Sequence, residues 1–199
     1  MPKIKAKTIA EHKKMSRAAL LDAAFSLFSS QGYAGTSLTD ITSVAGVGRT
    51  TVYEYFSDKE AIFLAVIEDR VPDILTEAVA RLTATEPRVR MRQLFEVCFD
   101  VTVQNIKTAD VLFRVGRELP STARDVMWRA LDPMTTEVSR LCALGVASEA
   151  FKGSPDLLAQ TVADLLVGGI DQLLARDEVE QAASAILHQR LTFLEHGLG

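Results

Sequence analysis

A glycine-containing turn between two short helical segments is the feature that most constrains the fold of this chain. The turn opens the stretch GVGRTTVYEYFSDKEAIF at residues 46–63, and the preceding segment, TSLTDITSVA, has apolar residues at helical spacing. Ser37 and Asp40 have the spacing of a capping box with a shorter acid. We therefore expect a short helix that begins after Ser37 and ends at Gly46.

A second short helix is predicted over residues 49–56, directly after the turn. Val52 and Phe56 lie four residues apart and should face inward, which leaves the polar side chains on other faces. Two short helices joined by a tight glycine turn are typical of a helix-turn-helix, whose second helix enters the major groove of DNA. A small helical bundle without that role is the alternative.

Apolar periodicity along the rest of the chain predicts an all-α fold. Gly32 is placed to end the first helix, SDKE from Ser57 to Glu60 should form a capping box, and Pro72 and Pro133 should kink their helices. The predicted segments are a flexible arm over 1–12 and helices over 13–31, 58–83, 91–102, 109–116, 121–141, 155–175 and 177–196.

Composition and termini indicate a cytoplasmic globular protein. The chain is 48% hydrophobic, and its N-terminus has no apolar signal-peptide core. No run of 18 apolar residues is present, so we expect no membrane span. Cys98 and Cys142 are far apart and lack a CxxC partner, so they should be free thiols, and we expect no metal and no cofactor.

Charge is distributed unevenly along the chain, whose net charge is −4. Residues 1–17 contain six basic residues and one acidic residue, Glu11, whereas residues 61–199 contain 14 basic and 20 acidic residues. A basic end joined to an acidic body is typical of a protein that binds nucleic acid through that end. A solvated, frayed N-terminus is the alternative.

Catalytic motifs are absent from the sequence. It contains no G-x-S-x-G, H-E-x-x-H, P-loop or G-x-G-x-x-G, and its three histidines are not placed near either cysteine in sequence. We therefore predict that the protein is not an enzyme. An all-helical protein-interaction or ligand-binding module without operator-specific regulation is the alternative function.

The side chains around the turn supply the DNA-binding candidates. Arg49 lies at the start of the predicted recognition helix, where a guanidinium can make a bidentate contact with guanine. Lys59 combines a positive charge with a helix N-terminus, which suits a phosphate. The other candidates offer hydroxyl or methyl groups to phosphates or bases; they are Thr36, Ser37, Thr39, Thr50, Thr51, Tyr53 and Tyr55.

Residues 17–64 resemble the DNA-binding domain of the TetR family of transcriptional repressors. The matching elements are FSSQGY, TS, AGV, TVYEYF and SDKEAI, in this order. The resemblance implies about nine helices, a homodimer on a palindromic DNA operator, repression, and release by a small-molecule effector. It also implies base readout by Arg49, Thr50, Thr51 and Tyr53. Repression and activation stay open from the residues alone.

The resemblance divides the chain into a basic arm with a helix-turn-helix domain, residues 1–57, and a ligand-binding and dimerisation domain, residues 58–199. Gly48 and Thr50 depart from the residues that are common in the family, which leaves the operator sequence undefined. We expect a ligand in the second domain to shift the long helix that starts at residue 58, and so to change the spacing of two DNA-binding heads.

The middle helices carry large apolar residues and a few polar ones, which suit an apolar pocket and a packed core equally well. Asn105, Arg114 and Glu118 are the polar residues expected to orient a ligand. The predicted pocket residues are Phe95, Cys98, Phe99, Thr102, Asn105, Phe113, Arg114, Met127, Trp128, Leu131 and Met134.

The segment 155–175 is apolar around much of its girth and must be covered on two sides. We predict that this helix and the last one form a four-helix bundle with those of a second copy. Packing within one chain is the alternative. The predicted interface residues are Leu158, Val162, Leu165, Gly169, Leu173, Ala183, Leu187 and Leu191.

Overall fold

Nine α-helices and one 3₁₀ helix form the regular structure of residues 2–118 and 121–198, which the computed structural model describes. The predicted all-α fold is confirmed, and no strand occurs in these residues. The elements are α1 (Pro2–Gln31), α2 (Leu38–Ala45), the 3₁₀ helix (Thr51–Glu54), α3 (Lys59–Ala80), α4 (Pro87–Gln104), α5 (Ile106–Glu118), α6 (Ser121–Ala130), α7 (Asp132–Ala147), α8 (Pro155–Leu174) and α9 (Val179–Gly197).

The ends of α2 follow the local sequence. Ser37 Oγ accepts a hydrogen bond from Asp40 N, and the Asp40 carboxylate accepts one from Ser37 N, so the predicted capping box is confirmed. The Ser37 hydroxyl and the Ser37 N–H both donate to the Asp40 carboxylate, and these two hydrogen bonds lower the pKa of the Asp40 carboxyl group. Gly46 ends α2 with a φ of 65°, a left-handed conformation that glycine adopts without steric cost.

Three predictions about helix ends are wrong. The residues predicted as a flexible arm are helical from Pro2 onward. The N-cap of α3 is Asp58, which accepts from Ala61 N at 2.8 Å, and Ser57 only donates its hydroxyl to Asp58. The expected kink near Pro133 is a break between α6 and α7, because proline lacks the N–H that would continue the helix.

Two apolar cores divide the molecule. The head core joins α1, α2, the 3₁₀ helix and the first half of α3, and it also takes in residues of α5 and α6. The body core joins α4, α7, α8 and α9. Because Ile62, Phe63 and Val66 of α3 are buried in the head core, the head packs beyond the boundary predicted at residue 57.

Helix α3 connects the two cores. Its N-terminal half belongs to the head core, whereas Leu75 and Val79 pack against the body core. Pro72 lies inside α3, between these two parts. A movement of this helix would therefore be felt in both cores, since packed interiors transmit displacement.

Helix α8 is the centre of the body. By length and composition it could cross a membrane, with a mean hydropathy of 1.3, a property shared by the core helices of soluble proteins. In the fold it packs against α4, α5, α7 and α9. Its buried face carries Ala159, Val162, Ala163, Leu166, Gly169, Ile170 and Leu173.

Candidate DNA-binding surface and effector cavity

The recognition segment is shorter and tighter than predicted. Its regular part is the four-residue 3₁₀ helix, in place of an α-helix over 49–56. The Gly48 carbonyl accepts from Thr51 N at 2.9 Å and from Val52 N at 3.2 Å. Successive β-branched residues at Thr50, Thr51 and Val52 lower the α-helical propensity, which favours the shorter element.

Two apolar anchors hold this segment on the head. Val52 is 1% exposed and Phe56 is 6% exposed, so their predicted inward orientation is confirmed. Tyr53 projects outward and is 62% exposed, whereas Tyr55 is half-buried against the head core. The segment thus presents one tyrosine fully to solvent.

Arg49 and Thr39 contact each other across the turn. Arg49 Nη2 donates to Thr39 Oγ1 at 2.5 Å, and both residues are exposed. A guanidinium has five N–H donors, so this bond still leaves a bidentate edge for a base. The predicted candidates Arg49 and Thr39 are therefore adjacent, with the arginine held by the threonine.

Thr36 does not lie on the surface. It is 2% exposed, and its hydroxyl donates to the Gly32 carbonyl at 2.7 Å. The side chain therefore belongs to the loop between α1 and α2, and we remove it from the DNA-binding candidates. Ser37 is exposed, but its hydroxyl is engaged with Asp40 in the capping box.

Lys59 holds the same loop together. Its Nζ donates to the carbonyls of Tyr33 at 2.7 Å and Thr36 at 2.9 Å, and lies 4.2 Å from the centre of the Tyr33 ring. An ammonium group has three donors, so two are already used within the fold. Lys59 is half-buried and acts here as a structural cation.

Two surface residues of the head were not predicted as candidates. Val44 is one of the apolar residues at helical spacing in α2, but it is 61% exposed. The guanidinium of Arg17 lies 5.7 Å from the centre of the Phe56 ring, which brings the basic part of α1 next to the recognition segment. For Arg17, the sequence signal was the run of basic residues at the N-terminus.

A small apolar cavity lies between the two cores. Its volume is about 60 Å³. Six predicted residues line it: Cys98, Thr102, Asn105, Phe113, Leu131 and Met134. Two parts of the wall were not predicted from the sequence: Val71, Ile74 and Leu75 of α3, and Val167 and Ile170 of α8. These residues have the spacing of ordinary core positions.

A larger cleft of about 320 Å³ adjoins this cavity. Both are lined by Leu112, Phe113, Leu131 and Val167, so these four side chains form their common wall. The predicted residues Met127 and Trp128 line the cleft alone. A pocket for a typical small ligand needs roughly 300–1,000 Å³, which the cleft but not the cavity offers.

Three predicted pocket residues do not line either space. Phe95 and Phe99 are buried in the body core, because they lie on the face of α4 that packs away from the cavity. Arg114 is exposed and forms an ion pair with Asp110 one helical turn earlier. The side chain of Glu118 lies outside the described residues.

The cavity is chemically neutral. None of its described lining residues is charged. Thr102 donates to the Cys98 carbonyl at 2.7 Å, and Asn105 Nδ2 donates to the Val101 carbonyl at 3.0 Å, so the Asn105 amide oxygen is left as an acceptor. Burial raises the pKa of Cys98 to about 12, which makes this thiol a poor nucleophile.

The predicted dimer residues divide between the inside and the surface of one chain. Val162, Gly169, Leu173 and Leu191 are buried within the body, so their predicted role at an interface is wrong. A Cβ on Gly169 would lie 3.0 Å from Phe99 Cζ, so this close approach occurs between α8 and α4 of the same chain. The remaining predicted interface residues are all half-buried and pack partly against the body core; they are Leu158, Leu165, Ala183 and Leu187.

The N-terminal part of this chain is similar in sequence to known regulators of transcription. A family model described as bacterial regulatory proteins, tetR family, matches residues 20–66. The HTH-type transcriptional activator FasR of Mycolicibacterium smegmatis is 34% identical over 85 residues, covering 42% of this chain and 39% of that protein. The HTH-type transcriptional repressor NicS of Pseudomonas putida is 28% identical, covering 52% and 49%. These matches thus span less than half of either relative.

Other similarities cover almost the whole chain. The HTH-type transcriptional regulator YfiR of Bacillus subtilis is 25% identical over 198 residues, 95% of each chain. A transcriptional regulator from Saccharomonospora viridis, solved in complex with choline, has a TM-score of 0.70 at 22% identity, covering 92% of this chain and 96% of that one. FadR of Bacillus subtilis, solved with stearoyl-CoA, has a TM-score of 0.69 at 18% identity, covering 87% and 97%. These two structures share the fold.

A helix-turn-helix head joined through a shared helix to an all-α body is the fold that this chain shares with these solved transcriptional regulators. The helix-turn-helix head of this chain belongs to the TetR family of bacterial regulatory proteins, whose model matches residues 20–66. The relatives that it matches are named as regulators of transcription, in agreement with the absence of catalytic motifs from the sequence.

Proposed function

We propose that this protein is a cytoplasmic repressor that binds a palindromic operator as a homodimer and is released by a small, uncharged, mostly apolar molecule. The observation that carries the proposal is the double role of α3. Val71, Ile74 and Leu75 line the cavity, and Ile62 and Phe63 of the same helix lie in the head core.

Helix α5 provides a second connection between ligand and head. Leu112 lines the cavity and is also part of the head core, together with Val111 and Val115. Helix α5 contacts α1 directly. A molecule that enlarges the cavity by displacing α3 or α5 would therefore move a helix that reaches the DNA-binding head.

The ligand class follows from the cavity and cleft. Joining the two spaces requires movement of their common wall, in which Phe113 is the largest side chain. The lining of the cavity is uncharged and disfavours an ionic group in that space, because an unpaired buried charge is costly. The cleft has one charged residue in its lining, Asp171. The Asn105 amide oxygen favours a hydroxyl or N–H group on the ligand.

Dimerisation through the outer faces of α8 and α9 is supported by exposed apolar groups. Leu157 of α8 is 65% exposed and Phe193 of α9 is 68% exposed, so each of these helices leaves a large apolar side chain available to a second copy. Thr161 and Gly168 lie on the exposed side of α8. On α8 the proposed interface therefore uses the face with Leu157, Thr161 and Gly168, which lies next to the face predicted from the sequence.

The test is a selection of operators from a random DNA pool with the full-length protein, followed by binding measurements with candidate ligands. Enrichment of a palindrome is expected, with affinity that falls as salt rises. A ligand that weakens binding a hundredfold corresponds to a coupling free energy of about 2.7 kcal/mol. A thermal-shift screen of uncharged, apolar compounds supplies candidate ligands.

Failure to enrich any sequence, with ligand binding intact, would leave the protein as a ligand-binding module without operator-specific regulation. Repression is tested separately with a reporter gene placed behind the selected operator. Because the relatives include both an activator and a repressor, reporter expression that rises when the protein is present would contradict repression while leaving operator binding in place.

A further inference from the structure

The cleft beside the apolar cavity reaches the outer face of α8. Gly168 and Asp171 line the cleft, and Gly168 shares an exposed side of the helix with Leu157 and Thr161. These three residues are spaced four and seven apart, which places them on one helical face. The proposed dimer interface uses this same face, so a molecule that covers it also covers the edge of the cleft.

Packing within the described part of the chain does not account for the glycine at position 168. A Cβ on Gly168 would have nothing within 4 Å among the described residues around α8, whereas a Cβ on Gly169 would lie 3.0 Å from Phe99 Cζ. Both glycines lie in the interior of α8, where glycine is among the least favourable residues. Gly169 is explained by the close approach of α4, but Gly168 leaves room beside the backbone for a group from outside the chain.

Trp128 borders the same cleft and is only partly covered. It is 46% exposed, and the neighbouring Met127 also lines the cleft, opposite the common wall that contains Phe113. A small-molecule pocket typically buries roughly 70–90% of the surface of its ligand. The described walls of this cleft end on an exposed indole and an exposed glycine, so a molecule bound there needs a further surface to cover it.

A second copy of this chain fits this side of the cleft. Leu157 and Phe193 leave apolar groups exposed on α8 and α9. The exposed side of α8 also carries the carboxylate of Asp164, whereas none of the exposed residues among the described positions 181–193 of α9 is acidic. The hydrogen-bond donors on that part of α9 belong to Gln181, His188 and Gln189. The two faces are thus complementary if α8 of each protomer packs on α9 of the other.

We infer that the second copy closes the cleft, so that the effector-binding site has walls from both protomers of the dimer. Trp128, Gly168 and Asp171 form the edge at which the two chains meet around the ligand. This inference rests on the proposed function, because it presupposes the homodimer. A ligand held by both protomers binds the dimer more tightly than the monomer, and by linkage it strengthens the dimer by the same factor.

The first test uses Trp128 as a reporter, since it is the only tryptophan in the sequence. Full-length protein is diluted through the range in which the dimer dissociates, and sedimentation and tryptophan emission are measured on the same samples. Emission should move to shorter wavelength as the dimer forms, with the same midpoint, because the second copy displaces water from the indole. Phe193→Asp, which should keep the chain monomeric, should emit at the longer wavelength throughout.

A matched probe separates this effect from a general response to dimerisation. Leu144 is 45% exposed on α7, outside the proposed interface, so its exposure is close to that of Trp128. In the double variant Trp128→Phe, Leu144→Trp, the emission should therefore be the same for monomer and dimer.

The second test measures dimer dissociation with and without a ligand from the thermal-shift screen. Saturating ligand should lower the dissociation constant of the wild-type dimer by about tenfold or more. Without ligand, Gly168→Leu should raise that constant by about tenfold, because its own chain has room for the side chain but the second copy does not. Ala143→Leu, on the exposed side of α7, is the control and should leave the constant unchanged.

A dimer that forms with no change in Trp128 emission would overturn the inference and leave the proposed function in place, because the cleft would then lie away from the interface. A ligand that binds without strengthening the dimer, or a Gly168→Leu dimer as tight as the wild type, would overturn it as well. If the wild type stays monomeric at every concentration and on its operator, the proposed homodimer fails instead.

Discussion

Thr39 accepts a hydrogen bond from Arg49 across the turn of the helix-turn-helix, over 2.5 Å. The two residues are ten positions apart in the chain, and the bond fixes a long side chain that would otherwise sample many rotamers. A guanidinium that is already oriented loses less conformational entropy when it meets a guanine.

Replacing Thr39 by Val should therefore relax sequence preference at one base pair of each half-site. The loss should not exceed that caused by Arg49→Ala, about 1–3 kcal/mol if Arg49 reads guanine. Binding to the selected operator and its single-base variants measures the effect, and Thr39→Ser, which keeps the hydroxyl, is the control. A uniform weakening on all sequences, with a shallower salt dependence, would instead make Thr39 a phosphate contact.

Lys59→Met should destabilise the head, because it removes the donor shared by the carbonyls of Tyr33 and Thr36. Hydrogen bonds from a charged group contribute about 1.5–3 kcal/mol, so the free energy of unfolding should fall by about that amount. Urea denaturation measures it, with Lys152→Met on the exposed surface as the control. Unchanged stability together with a shallower salt dependence of operator binding would restore Lys59 as a phosphate contact.

Ala109→Leu should separate DNA binding from ligand response. Ala109 is on α5 and lines the cavity, so a larger side chain there occupies the space of the ligand. Operator affinity should be retained, while the weakening by a ligand found in the thermal-shift screen should disappear. Ala143→Leu, on the exposed side of α7, is the matched control. A variant that binds the operator and still responds fully would exclude this cavity as the effector site.

Phe193→Asp should dissociate the proposed dimer, because it places a charge on an exposed apolar position of α9. Sedimentation should show a monomer, and operator affinity should fall since the two half-sites are then bound independently. Val89→Asp changes another exposed apolar residue, on α4 and 49% exposed, and should leave the oligomeric state unchanged. A dimer that persists in the first variant would rule out this face as the interface.

Glu137→Gln should lower stability in a pH-dependent way. Hydrogen bonds from Arg140 and Arg90 lower the pKa of the Glu137 carboxyl group, so its ionised form stabilises the fold. At pH 7 the loss should be about 1–3 kcal/mol, less than for a fully buried pair because Arg140 is half exposed. As pH falls below 4.5 through the lowered folded pKa, wild type and variant should converge in thermal unfolding. A difference that does not change with pH would contradict this account.

The sequence predicted correctly those features that depend on contacts between residues close together in the chain. Ser37, Asp40 and Gly46 make their contacts within one turn of α2, and Val52 and Phe56 are fixed by helical spacing, so each could be found without a fold. The structural role of Lys59 could not be predicted in this way, because the carbonyls to which it donates are 23 and 26 residues earlier in the chain.

Helix α8 shows a different limit. Its apolar residues surround most of the helix, so periodicity could not distinguish the stripe facing α4 and α9 from the stripe facing solvent. Val162 and Leu173 were assigned to a partner and lie instead inside their own chain. The cavity wall on α3 was missed for a related reason, because Val71 and Ile74 have the same spacing whether they fill a core or line a space.

Because α3 contributes side chains to both cores, it limits where hybrid regulators can be joined. A chimera that takes its operator preference from this chain and its sensor from another cannot be joined at residue 57, because Ile62, Phe63 and Val66 would be replaced along with the sensor. The junction belongs inside α3, near Pro72, and the donor sensor must supply apolar groups equivalent to Val111 and Val115. Interchangeable parts of this molecule therefore end in the middle of a helix.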